Sequence, residues 1–179
     1  MLFFDSLDIR QQTEYAALRD TIRQRGTVRM VLLPVTFIGW AATAVATGAV
    51  GTVALSTLVP LLVLAAGFEA IFALHINVER IGRYLQVFHE RDGGWEHVAM
   101  QYGQRFRGAG PDPLFARLFV LGVSLNLLPA ALGGEPLEAG IIAVVHLLLV
   151  YRIRTARAAA TAQRSEDLSR FEQLRGSSE

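Results

Sequence analysis

There is no cysteine anywhere in the chain, and that absence removes disulfides, thiolate zinc sites, cysteine-ligated iron–sulfur clusters and thiol nucleophiles together. Lysine is missing as well, so all 17 basic residues are arginine, a bias that fits a GC-rich bacterial genome rather than any particular chemistry. Charge of either sign is absent from Met30 to Phe68. Such a run can cross a bilayer twice, since each crossing needs about 20 apolar residues. The usual marks of catalysis are also missing. No HExxH, no Glu-x-x-His pair, no GxSxG around Ser56 or Ser124 and no phosphate-binding glycine pattern between Gly103 and Gly110 occurs. No catalytic residue is therefore assigned, and no metal or cofactor is expected.

What is present is apolar sequence in blocks. Hydrophobic residues make up 52% of the chain against 18% charged ones, too apolar and too short for its long helices to be covered on all sides in water. The expectation is an all-α membrane protein with four transmembrane helices arranged as two antiparallel hairpins, all 179 residues forming a single membrane domain. The expected spans are 28–50, 53–74, 114–132 and 137–153. Residues 1–27 read as a short amphipathic N-terminal helix, with Asp5 or Ser6 as N-cap, Phe3 and Phe4 at its start and Gly26 as its end. Asp5, Asp8 and Glu14 in this stretch do not fit a cleavable signal peptide, so the first span is expected to stay in the mature protein.

The organising stretch runs from Val53 to Glu90. As one helix it would be roughly 55 Å long at about 1.5 Å per residue, beyond a hydrocarbon core of about 30 Å. Its first half reads as a span with a proline kink at Pro60, and its second half as a cytosolic arm within 75–113. The arm is expected to break at Asp92-Gly93-Gly94, continue as a short helix from Trp95 to Tyr102, and end in the loop Gly103 to Pro113. Residues 154–179 read as a cytosolic helix ending in a disordered tail.

Arginines set the expected orientation. They flank the outer ends of both hairpins and fill the middle segment, and neither short connection contains one. The positive-inside rule then places both termini and the middle segment in the cytoplasm of a bacterial inner (plasma) membrane.

Two constellations stand out. The first is the intramembrane set Glu69, Asn126 and His146. An ionisable group at bilayer depth costs on the order of 2.5 to 3.5 kcal/mol and needs a partner, so the three could relay a proton, hold an ion, or simply tie helices in register. The second is the arm, where His75, Glu79, Arg80, Arg83, Tyr84 and the following Trp95 combine charge with aromatics, as protein or ligand contacts do. Glu79 and Arg83 have the i, i+4 spacing of an ion pair. His75 with Glu79 has the spacing of two metal ligands, and His89, Glu90, Asp92, Glu96 and His97 follow, but neither an HExxH nor a Glu-x-x-His pattern joins them.

The function these features suggest is non-enzymatic: an accessory module that binds a partner or ligand through a cytosolic polar-aromatic surface. The alternative is a small transporter or proton/ion-conducting oligomer using Glu69 and His146. Membrane lipid, a protein partner or further copies of the chain are the expected partners. Nucleic acid is not, because the arginines alternate with acids.

Overall fold

A computed structural model describes residues 2–50, 54–90, 93–106 and 112–177, with the side chains of residues 2–8 and 104 outside the description. These residues are helical almost throughout, with no strand among them. The helices are α1 (Leu2–Val50), α2 (Leu58–Phe88), α3 (Trp95–Arg105), α4 (Ala116–Gly133) and α5 (Pro136–Gly176), with a single 3-10 turn at Ala54–Thr57. Four of them, α1, α2, α4 and α5, are long and apolar enough to cross a membrane.

Several sequence-based boundaries move. Gly26 does not end a helix, because α1 continues through it from Leu2 to Val50. An isolated glycine inside a good helix costs only about 1 kcal/mol, which packing elsewhere outweighs. Asp5 and Ser6 accordingly lie inside α1 rather than capping it. Pro60 does not kink a running helix either. It is the third residue of α2, where its missing N–H has no intrahelical partner to lose. α3 is longer than expected, reaching Arg105, and α5 continues without a break past Arg152. Asp92, residues 107–111 of the expected loop, the end of the tail at 178–179 and the first connection at 51–53 fall outside the described residues.

The described chain divides into two compact units. One contains residues 1–28, 74–111 and 160–179; the other contains 29–73 and 112–159. The second, the apolar unit, packs Leu61, Leu64, Phe68 and Ile71 of α2 against Phe119 and Val123 of α4 and Ile153 and Ala156 of α5. Phe119 meets Phe68 edge-on with ring centres 5.3 Å apart, and Phe37 of α1 lies 5.5 Å from the same ring. At Gly67 α1 and α2 approach closely, since any Cβ there would overlap the side chain of Thr36. Ahead of α4, whose N-cap position is Phe115, the Asp112 carboxylate accepts the N–H groups of Leu114 at 3.1 Å and of the first helical residue, Ala116, at 2.7 Å.

The first, the polar unit, joins segments of α1, α2 and α5 to α3. Its interior is charged as well as apolar: Leu85 and Val87 are buried, and so are Arg83, Gln86, Glu96 and Asp167.

Candidate functional site

In the polar unit the arm of α2 is an interior element. Arg83 is only 4% exposed, and His75 is buried too. Arg83 donates to Glu96 of α3 at 3.1 Å, to the sulfur of Met100 at 3.1 Å, and to Gln86. Glu96 also receives Arg19 of α1 at 2.6 Å, and Arg19 reaches Glu90 at 2.7 Å. Glu90 closes the circuit by accepting the backbone N–H of Glu96 at 2.7 Å, so it caps the start of α3. Two guanidinium groups and two carboxylates thus bind three chain segments together. Gly82 permits this, because a Cβ there would stand 2.9 Å from a Glu96 carboxylate oxygen.

Further pairs hold α5. Glu79 meets Arg164 at 2.6 Å, Arg80 donates to Asp167 at 3.1 Å, and Arg175 donates to the carbonyl of Val87 at 2.8 Å near the end of α2. Glu79 and Arg83, expected to pair with each other, make their direct bonds across to other helices, Glu79 to Arg164 and Arg83 to Glu96, while Glu79 still acts on Arg83 through its charge. The Tyr84 hydroxyl donates to Glu14 at 2.9 Å, while its ring packs against Phe88 and Phe171.

Burial acts on these groups in opposite directions. It pulls the Arg83 guanidinium below the ordinary arginine range, against the opposing pull of Glu79 and Glu96. At Arg19 burial also lowers, but hydrogen bonds to Tyr15 and Glu96 outweigh it and leave the group above its usual value. Burial, then the bond to Glu14, raises Tyr84. Beside Arg83 lies a cavity of about 150 Å³ lined by Glu79, Gly82 and Met100 among others. The Arg83 Nε has no protein partner among the described residues, and the polar cavity has room for water to supply one.

The surface is on α3. Trp95, Val98 and Tyr102, at positions i, i+3 and i+7, are 70%, 51% and 54% exposed, and Gln101 and Arg105 flank them. The only acid of α3, Glu96, is turned inward, so this outward row is apolar, aromatic and basic. Of the six arm residues expected to form a surface, Arg80 and Trp95 are exposed, Glu79 and Tyr84 are half-buried, and His75 and Arg83 are buried. Val98 and Tyr102 carried a recoverable signal, since their spacing from Trp95 marks one face of a helix opposite Glu96.

In the apolar unit two of the three expected polar residues meet. The Asn126 amide donates to the Nε2 of His146 at 3.0 Å and to the carbonyl of Thr57 at 2.8 Å, while its oxygen accepts the Trp40 indole N–H at 3.0 Å. His146 Nδ1 lies 2.8 Å from the carbonyl of Ile142, which can only accept. That contact fixes Nδ1–H as the donor and leaves Nε2 to accept from Asn126. Every hydrogen-bonding group of the amide and imidazole is engaged. Glu69 is not brought to them. It pairs with Arg152 at 2.8 Å, and Arg152 lies over the Phe72 ring at 4.5 Å. Six residues of α5, about 9 Å along its axis, separate Arg152 from His146.

No group of three or more His, Asp or Glu among the described residues is placed to hold a metal ion. Fold and site together define an all-helical protein with four helices of membrane-crossing length and apolarity, and with a charge-bonded helical unit. The chain matches no family model, and no similar curated protein or solved structure was found.

Proposed function

We propose that this chain is a multi-pass protein of a bacterial inner membrane that serves as a non-enzymatic accessory module and recruits a partner protein through the outward face of α3. The apolar unit spans the bilayer, and the polar unit lies in the cytoplasm with both termini, as the arginine distribution favours. The observation that carries the reading is the exposed row Trp95, Val98 and Tyr102 on a helix whose opposite face is fixed by Glu96. Trp, Tyr and Arg are the side chains that contribute most at protein interfaces, and a rigid helix loses little entropy when they are covered. With Arg105 beside the row and no acid exposed on α3, the matching partner surface has an apolar socket with an acidic edge.

The reading is tested by placing a photoreactive benzoylphenylalanine at position 95 in cells. A discrete protein adduct is expected, lost when Tyr102→Ala is combined with Arg105→Glu. Adducts to lipid alone would contradict it.

Transport through Glu69 and His146 is the second reading, and the geometry favours it less. Glu69 already has a cationic partner, and His146 already accepts from an amide. Proton flux into liposomes containing the wild type, abolished by Glu69→Gln, would reverse that preference.

A further inference from the structure

Arg83 is a buried cation whose acceptors are poorly matched to its donors. A guanidinium has only N–H donors to offer, and each needs an acceptor once water is withdrawn. The Arg83 side chain is 5% exposed. Its Nη2 donates to the Glu96 carboxylate at 3.1 Å, and its Nη1 donates to the Gln86 amide oxygen and to the Met100 sulfur, the latter at 3.1 Å. Nε has no protein partner among the described residues. The weakest of the acceptors in use is the thioether of Met100.

Met100 and Glu96 are four residues apart on α3, so both reach Arg83 from one face of that helix. Met100 is half-buried. It lines, with Arg83, the cavity of about 150 Å³, a space well above the roughly 10–15 Å³ that one water molecule needs. A small polar oxidant therefore has room beside both side chains.

We infer that Met100 is a site of reversible oxidation by hydroperoxides, and that its sulfoxide oxygen accepts from the Arg83 guanidinium and fastens α3 to α2 more firmly than the thioether does. In the reaction a sulfur lone pair attacks one peroxide oxygen, and the S–O bond forms as the O–O bond breaks. Sulfur gives two electrons to the peroxide, and the proton on the attacked oxygen passes to the leaving oxygen, which departs as water or an alcohol. The sulfur has to draw back from Nη1 to admit an oxygen between them. The rotatable bonds of methionine and the adjoining cavity allow that movement. Methionine oxidation ordinarily loosens a protein by placing a polar group in an apolar site, but this site presents a buried cation. The inference holds whether or not the outward face of α3 meets a partner, and it does not depend on membrane placement.

The chain has three methionines, so Met30→Leu leaves Met100 as the sole one after the first residue. The full-length Met30→Leu protein, purified in detergent, is treated with hydrogen peroxide and followed by peptide mass spectrometry and hydrogen exchange. One added oxygen at Met100 is expected, with amide exchange across α3 slowed about 10-fold, the worth of a charge-assisted hydrogen bond. Methionine sulfoxide reductases should return exchange to its starting rate. Met100→Gln, which supplies a permanent amide oxygen, should slow exchange without any oxidant. Met100→Leu, which keeps the bulk but has no acceptor, should speed it. If Met100 only fills space, the order reverses: Leu is harmless, while Gln and oxidation both loosen α3. That reversed order, or a Met100 that stays reduced under peroxide, would overturn the inference.

Discussion

The two units bury polar groups by different means. In the polar unit, charge is buried against charge: Arg19, Arg83, Glu90 and Glu96 share contacts across α1, α2 and α3. The apolar unit uses neutral groups, joining indole, amide, imidazole and a backbone carbonyl into one closed set. The difference follows from the cost of burial. An ion taken from water costs several kcal/mol and is tolerated only with its counter-ion in place, whereas an amide or imidazole needs only its hydrogen bonds filled. The Glu69–Arg152 ion pair of the apolar unit is correspondingly at its surface.

The contrast can be broken most sharply at Glu96. Glu96→Ala leaves Arg83 buried without its carboxylate and removes one contact of Arg19, so a loss of about 3–5 kcal/mol is expected from chemical denaturation, with the polar unit opening first in hydrogen exchange. Next comes Gly82→Val, which pushes a side chain into the space of the Glu96 carboxylate. A loss of about 1–3 kcal/mol is expected, and Gly82→Ala should fall at the lower end. In the apolar unit Asn126→Leu strands the Trp40 N–H and the Thr57 carbonyl at once, at about 1–3 kcal/mol for a buried group left unmade. His146→Leu should cost less, because only one Asn126 donor loses its acceptor. A double-mutant cycle between Asn126 and His146 then sharpens the comparison by reporting their coupling directly.

Tyr84 provides the smallest effect, and it depends on pH. Its folded value is raised, so its stabilising contribution is complete below the ordinary tyrosine range and is lost as pH rises through the shifted value. Tyr84→Phe should therefore cost under about 1 kcal/mol at neutral pH, given the partly exposed bond, and should remove that alkaline loss from a stability-versus-pH profile.

The existence and type of the long helices were legible in the sequence because a charge-free run and arginine clusters are strong, local signals. The positions of Asn126 and His146 could be read as polar groups needing partners, and the structure joins those two. Glu69 was misjoined because its true partner, Arg152, follows the fourth span, where an arginine is expected on topological grounds alone. The arm was harder. His75, Glu79, Arg83 and Tyr84 look like an exposed mixed surface in one dimension, and only the packing of α1, α3 and α5 around them makes them an interior. Charged residues are rarely buried, so composition argues for exposure until each counter-ion is located. Those counter-ions lie far away in sequence: Glu96 is 77 residues from Arg19, and Asp167 is 87 from Arg80. The Gly82 approach to Glu96 belongs to the same class of long-range fact. The outward row of α3 was half legible, with Trp95 singled out and its helical companions Val98 and Tyr102 passed over.

The central claim is that the two units differ because one meets lipid and the other meets cytoplasm. Since the natural chain has no cysteine, single cysteines can be placed cleanly at the exposed positions Glu135, between α4 and α5, and Ser165, on the polar segment of α5. Intact spheroplasts are then treated with a membrane-impermeant maleimide. Labelling of Glu135→Cys at once, and of Ser165→Cys only after permeabilisation, is the predicted result; immediate labelling of Ser165→Cys in intact spheroplasts would contradict the account.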